Sequence, residues 1–405
     1  MTTAITIGMI IIYVAIMMGI GVYTARQTRS VSDFVLGSHS VGSWLTAFAY
    51  GTSYFSAVVF IGYAGQFGWT YGVSAAWVGI GNALLGSLLA WIVLGRRTRI
   101  MTQSLGAKTM PEYFEKRWNS KGLKIAAALI VFVFLIPYTA SVYNGLSRLF
   151  NMAFQIESEG AYKIIIIVMA LLTAIYVILG GYAATAINDF IQGIVMLIGI
   201  AAVVICAIQN QGGLTSALAA LGEIEVNGKT NTLNSVFGPD PLNLLGVVIL
   251  TSLGTWGLPQ MIHKFYAIKS ENDIKKGAVI STVFALIVAG GSYLLGGFDR
   301  LFCTLTEDGS GKTVISTLSN GKPDFDAMIP SLLHTALPDI LIGLVVVLVL
   351  SASMSTLSSL VLTSSSTLTI DLIKPNLKKC SDKKEMLIMR VLIAVFLVIS
   401  VPVSY

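Results

Sequence analysis

Apolar residues gather into ten runs along the chain, near 5–24, 43–66, 71–95, 122–150, 161–180, 187–209, 241–267, 275–297, 335–372 and 385–405. Each approaches or exceeds the ~20 residues that a helix needs to cross a bilayer. The pattern predicts an all-α membrane protein of about ten transmembrane helices. The ninth run is longer than a crossing requires, so a kink or a cytoplasmic extension is expected within it. The stretches 208–240 and 298–334 carry Gly, Asn, Thr, Asp and Pro and read as longer loops. No basic segment precedes the first run and no small-residue cleavage site follows it, so it reads as a retained span.

Composition agrees with this picture and removes the soluble classes. Of 405 residues, 55% are hydrophobic and only 11% charged, and the mean hydropathy is +0.79. That leaves too little charge to cover a soluble domain of this size. The net charge of +6 raises the question of a nucleic-acid partner, but its distribution answers it. Basic residues collect in alternate loops: Arg26 and Arg29, then Arg96, Arg97, Arg99, Lys108, Lys116, Arg117, Lys121 and Lys124. Lys264, Lys269, Lys275 and Lys276 follow between runs seven and eight, and Lys374, Lys378, Lys379, Lys383, Lys384 and Arg390 between nine and ten. The loop 208–240 has only Lys229. The positive-inside rule therefore puts the basic loops in the cytoplasm and the N-terminus outside. Cys206, Cys303 and Cys380 are far apart and form no metal or redox motif.

Three runs carry polar residues that lipid would not ask for. Run two, AFAYGTSYFSAVVFIGYAG from Ala47 to Gly65, sets Gly51, Thr52, Ser53 and Ser56 at mid-depth. Two readings fit: close helix packing through small residues, or a broken helix whose carbonyls face a cation or substrate. Run nine, LSASMSTLSSLVLTSSSTLTIDL from Leu350 to Leu372, repeats Ser351, Ser355, Ser358, Ser359, Thr363 and Ser366 at three- and four-residue steps. These share one helix face. Neutral hydroxyl oxygens suit an alkali cation and are poor ligands for zinc or copper; the alternative is serine bonding back to its own helix. The density favours an ion-lining face. Asp189, in AINDFIQG, is a carboxylate near the start of an apolar run. It reads either as a functional intramembrane acid or as an interfacial residue. Run seven holds Gly254, Trp256, Gly257 and Pro259, where the helix can open. It stands five runs after run two, the spacing of an inverted repeat. No P-loop, paired carboxylates, His/Cys cluster or nucleophile arrangement is present, so neither ATP coupling nor an enzyme is supported.

Taken in order, DFVLGSHSVG, YGTSYFSAVVFIGYAG, KTMPEYFEKRW, INDFIQG, LPQMIHKFYAIKS and ASMSTLSSLVLTSSSTLTIDL resemble the sodium:solute symporter family over nearly the whole chain. That group includes sodium–proline, sodium–sugar, pantothenate, monocarboxylate and sialic-acid symporters. The resemblance implies a LeuT-like fold: an extra first helix with its loop (1–40), a first five-helix repeat (41–210) and a second repeat (241–405), all in one transporter domain. By that count the second repeat is incomplete and the chain is expected to be shortened at its C-terminus. The resemblance also implies a main sodium site from the carbonyls of Thr52, Phe55 and Ala352 and the hydroxyls of Ser355 and Thr356. Ser355, Ser358, Ser359 and Asp189 match the pattern by which some relatives hold a further sodium. Solute contacts are expected from Tyr54, Ser56, Tyr138, Asn144, Thr255 and Trp256. The sequence departs from the proline transporters, which place an aspartate at Tyr54 and aromatics at Thr251 and Thr255. It departs from the sialic-acid pattern at Tyr54 and Val59.

The function so implied is sodium-coupled import of a small organic solute by alternating access, with Na+ as coupling ion and the lipid bilayer as surroundings. The rivals are a cation channel, which would draw its filter from a symmetric oligomer axis, and a membrane sensor built on a transporter-like core.

Overall fold

The computed structural model describes residues 2–154, 159–226, 228–307, 309, 311–377 and 381–404. Cys380, Lys378 and Lys379 lie outside the described residues; Cys206 and Cys303 are free thiols.

Among the described residues, seven helical stretches are long and apolar enough to cross a membrane, and one bent pair makes an eighth. Two of the seven, Val58–Leu105 and Lys163–Asn210, are 48 residues long. At 1.5 Å per residue each would extend about 72 Å, more than twice the ~30 Å hydrocarbon core. Each is therefore shared between two successive crossings, and each contains a glycine with positive φ where they meet: Gly72 at +63° and Gly181 at +55°. Dividing them there accounts for the ten expected spans. Span one is Thr2–Ala25, span four Lys121–Phe154, span eight Glu271–Gly296 and span ten Asp382–Ser400. Spans five and six share the helix Glu159–Asn210 on either side of Gly181.

Two spans are broken, each with a residue in extended conformation at the break. Span two runs as Ser43–Tyr54, breaks at Phe55 (φ −94°, ψ 114°), and resumes through the π-helical turns Val58–Tyr63. Span seven runs as Pro241–Leu253, tightens into a 3-10 turn over Gly254–Gly257, and breaks at Leu258 (φ −70°, ψ 121°) before Pro259–Ala267. Its halves meet at 54°. A proline ring disfavours helical backbone in the residue before it, so Pro259 accounts for the extended Leu258. Gly254 and Gly257, expected to let this helix open, have open space where a Cβ would stand, and Gly254 is itself helical.

The loops hold more structure than their composition predicts. The segment 208–240 contains the helix Leu214–Glu223, and 298–334 contains most of the helix Met328–Ala336 and a pair of two-residue parallel strands, Cys303–Thr304 and Thr313–Val314. Span nine begins at Asp339, four residues later than the apolar run, because Leu337 is extended ahead of Pro338. It then continues through Thr367, the wider π-helical turns Leu368–Ile373 and a tight 3-10 turn at Lys374–Asn376. Span nine is the centre of the molecule: 78% of its apolar window is buried, against 22–56% in the other six. It packs against spans one, two, four, five, six and ten and against the second half of span seven. Its serines were expected to share one face, yet every residue from Val345 to Thr367 is buried, so all sides of the helix are enclosed.

Candidate functional site

The site is assembled where span nine crosses the break in span two. In an unbroken helix the Thr52 carbonyl would accept from the amide four residues on. At Phe55 the ladder stops, with the Phe55 amide donating to Gly51 O at 3.1 Å. The Thr52 carbonyl instead accepts from the Ser355 hydroxyl of span nine at 3.2 Å. That hydroxyl also lies 3.1 Å from the Ala352 carbonyl, and Thr356 Oγ1 is 3.0 Å from the same oxygen. Thr52, Ala352, Ser355 and Thr356 are therefore one cluster, fully buried, with Phe55 1% exposed at the break beside it. The Thr52 and Ser56 hydroxyls are buried with no protein partner. The arrangement gathers neutral, hard oxygens with few committed hydrogen bonds, the donor set that an alkali cation needs. No group of three or more His, Cys, Asp or Glu side chains converges among the described residues.

One turn further along span nine lies a second cluster. Ser359 Oγ is 2.9 Å from Ser53 Oγ and accepts from Lys264 Nζ at 3.1 Å. Lys264 Nζ is also 3.5 Å from Asp189 Oδ2, the two side chains being 2% and 0% exposed. Asp189 is thus enclosed by protein and faces a buried lysine. Lys264, expected in a basic loop between spans seven and eight, is instead buried on the second half of span seven. Ser358 donates to the Ser355 carbonyl at 2.9 Å, within its own helix. Tyr176 of span five donates to the Met354 carbonyl at 3.0 Å. Elsewhere on span nine, Ser365 and Ser366 donate to carbonyls of the preceding turn, and Ser351 donates to the Val347 carbonyl and also lies in reach of the Tyr13 hydroxyl of span one. Back-bonding to the same helix thus occurs along much of the serine run, while Ser355 and Ser359 also bond to other helices.

The expected solute contacts are brought together in part. The Tyr54 hydroxyl, on the last turn before the break, donates to the Thr251 carbonyl at 3.2 Å and lies in reach of the Thr255 hydroxyl. Trp256 Nε1 donates to the Leu85 carbonyl of span three at 2.9 Å. Tyr138 is half-buried beside Tyr54, and Ser56 is buried at the break. Asn144 is exposed on span four, whose neighbouring Gly145 packs against Ala57. Asn82 was missed. It is buried on span three, and its Oδ1 accepts from Thr251 and Ser252 at 3.1 Å each, joining span three to the first half of span seven. A lone amide in an otherwise apolar run was the available signal.

A family model for the sodium:solute symporter family matches residues 34–404. The chain belongs to that family. It is 31% identical to the sodium/proline symporter of Staphylococcus aureus strain JH9, over 98% of this chain and 74% of the relative. The same protein from strain USA300 matches equally. Among solved structures, a substrate-bound, outward-open Na+-coupled sialic acid symporter superposes with a TM-score of 0.77 at 17% identity, covering 99% of this chain and 80% of that one. A nucleobase-cation-symport-1 family transporter in a closed conformation gives 0.53 at 12% identity, covering 90% and 72%. The fold is LeuT-like, as the sequence resemblance implies. The protein is a secondary transporter of the bilayer, a symporter driven by sodium, and not an enzyme; nothing supports the channel or sensor readings.

Proposed function

We propose that the coupling sodium is held by the carbonyls of Thr52, Phe55 and Ala352 and the hydroxyls of Ser355 and Thr356. The observation that carries this is the Ser355 hydroxyl bonded to the Thr52 carbonyl across the helix break. A cation there would bind both sides of the break at once and so tie span two to span nine. Asp189, Ser358 and Ser359 form a second cation position one turn away. The solute lies beside the two breaks, against Tyr54, Ser56, Tyr138, Thr255 and Trp256, with Asn144 nearer the entrance. The side chains in this set are uncharged at neutral pH, which favours a neutral or zwitterionic solute. Proline is the first candidate, because the S. aureus relatives are sodium/proline symporters. With Tyr54, Thr251 and Thr255 facing the solute, a polar neutral compound is the alternative.

The same reading places the basic loops in the cytoplasm and the N-terminus outside. It divides the transporter domain into residues 1–40, a first repeat over 41–210 and a second over 241–405, with the breaks at Phe55 and Leu258 in equivalent helices. The test is a thermal-shift series on the purified protein. Proline, short monocarboxylates, sugars, pantothenate and sialic acid are each added with sodium or with potassium. A solute that stabilises only with sodium, and only when Ser355 is intact, supports the site. Equal stabilisation in potassium, or in Ser355→Ala, overturns it.

A further inference from the structure

The second cation position already contains a cation. Lys264 Nζ is 3.5 Å from Asp189 Oδ2 and 3.1 Å from Ser359 Oγ, and it lies 5.3 Å from the centroid of the Tyr182 ring. A carboxylate, a hydroxyl and an aromatic face are what an ammonium asks of a site closed to water. Ser359 is fixed in turn by Ser53 at 2.9 Å, so the pocket is tied to the broken span as the main site is. Lys264 reaches it from the helix Pro259–Ala267, beyond the break in span seven. The charges decide how many cations the pocket can hold. Asp189 and Lys264 neutralise each other, and a sodium ion added beside them would be an unpaired charge within a few ångströms of an ammonium, where low dielectric makes repulsion strong.

We propose that the Lys264 ammonium is the resident cation of the Asp189–Ser359 pocket and takes the place of a second coupling sodium, so that one sodium ion moves per cycle. The chain then carries, covalently attached to span seven, a charge that would otherwise be drawn from solution. The inference rests on the sodium reading of the Thr52–Thr356 cluster.

The test counts bound sodium directly, by equilibrium binding of radioactive sodium to the purified protein, with no solute needed. The expected count is one per chain in the wild type, with the affinity weakened at least tenfold in Ser355→Ala. Lys264→Met removes the ammonium at similar volume and leaves Asp189 without its cation. A count of two is expected there, together with a larger rise in melting temperature on adding sodium, and Asp189→Asn added to Lys264→Met returns the count to one. Two ions in the wild type, or a single ion in folded Lys264→Met, overturns the proposal while leaving the main site standing. If Lys264→Met does not fold, the wild-type count decides alone: one sustains the proposal and two overturns it. A count of zero in the wild type removes the sodium reading beneath it, which is a separate failure.

Discussion

Ser355 and Ser366 are both buried serines on the same helix, yet they do different things. Ser366 bonds to Thr363 of the preceding turn, and that carbonyl keeps its place in the helix without it. Ser355 satisfies a carbonyl that the break in span two has stripped of its backbone partner. Ser366→Ala is therefore expected to change stability by no more than about 0.5 kcal/mol, because the bond it removes is a local one. Ser355→Ala leaves a buried acceptor unpaired and is expected to cost about 1–3 kcal/mol. It also lowers sodium affinity at least tenfold, about 1.4 kcal/mol. Thermal unfolding with and without sodium separates the two: the shift produced by sodium persists in Ser366→Ala and shrinks in Ser355→Ala. The sequence pattern marked both residues alike, because three- and four-residue spacing reports which residues share a face and says nothing of the helix opposite. Lys264 was less visible still. A lysine near the end of an apolar run looks interfacial, and what buries it is Asp189, a partner 75 positions earlier in the chain.

The breaks themselves were legible, since glycine with hydroxyls in mid-span and proline in a second span are local signals. Their causes are less uniform than the composition implied. In span seven the break belongs to Pro259, and Gly254 has open space around it. Gly254→Ala is expected to be tolerated, within about 0.5 kcal/mol in a thermal or chemical unfolding measurement. Other glycines are required by close approach. A Cβ on Gly68 would stand 2.0 Å from the carbonyl carbon of Gly296, and a Cβ on Gly296 would stand 2.0 Å from the Ala64 oxygen. Spans two and eight touch there backbone to backbone, and no side-chain rotation can relieve the overlap. Gly68→Ala is expected to cost more than the roughly 1–3 kcal/mol typical of overpacking, seen as loss of monodisperse protein on extraction where Gly254→Ala extracts normally. Equal behaviour of the two variants would show that the helices part readily at that crossing. The break at Leu337, which delays the start of span nine, could be read from Pro338, but the apolar run passes through it unaltered.

At the scale of the whole molecule, the number of sodium ions sets how steeply solute can be concentrated. A membrane potential of 100 mV contributes about 2.3 kcal/mol for each inward charge, and a tenfold sodium gradient adds about 1.4 kcal/mol per ion. One sodium therefore supports about 3.7 kcal/mol of uphill work on a neutral solute, an accumulation of roughly 500-fold. Two would support about 7.4 kcal/mol, more than 10^5-fold. The distinction does not depend on knowing either absolute limit. In liposomes clamped at zero potential, the steady-state solute ratio should rise tenfold for each tenfold change in the sodium ratio if one ion is coupled, and about a hundredfold if two are. The burial of Lys264 beside Asp189 leads us to expect the first slope in the wild type. In any Lys264→Met protein that still transports, the slope should steepen towards the second, because the sodium entering the Asp189 pocket is then released with each cycle. A wild-type slope of two would mean that the ammonium withdraws from Asp189 during transport and that the pocket admits sodium in its place.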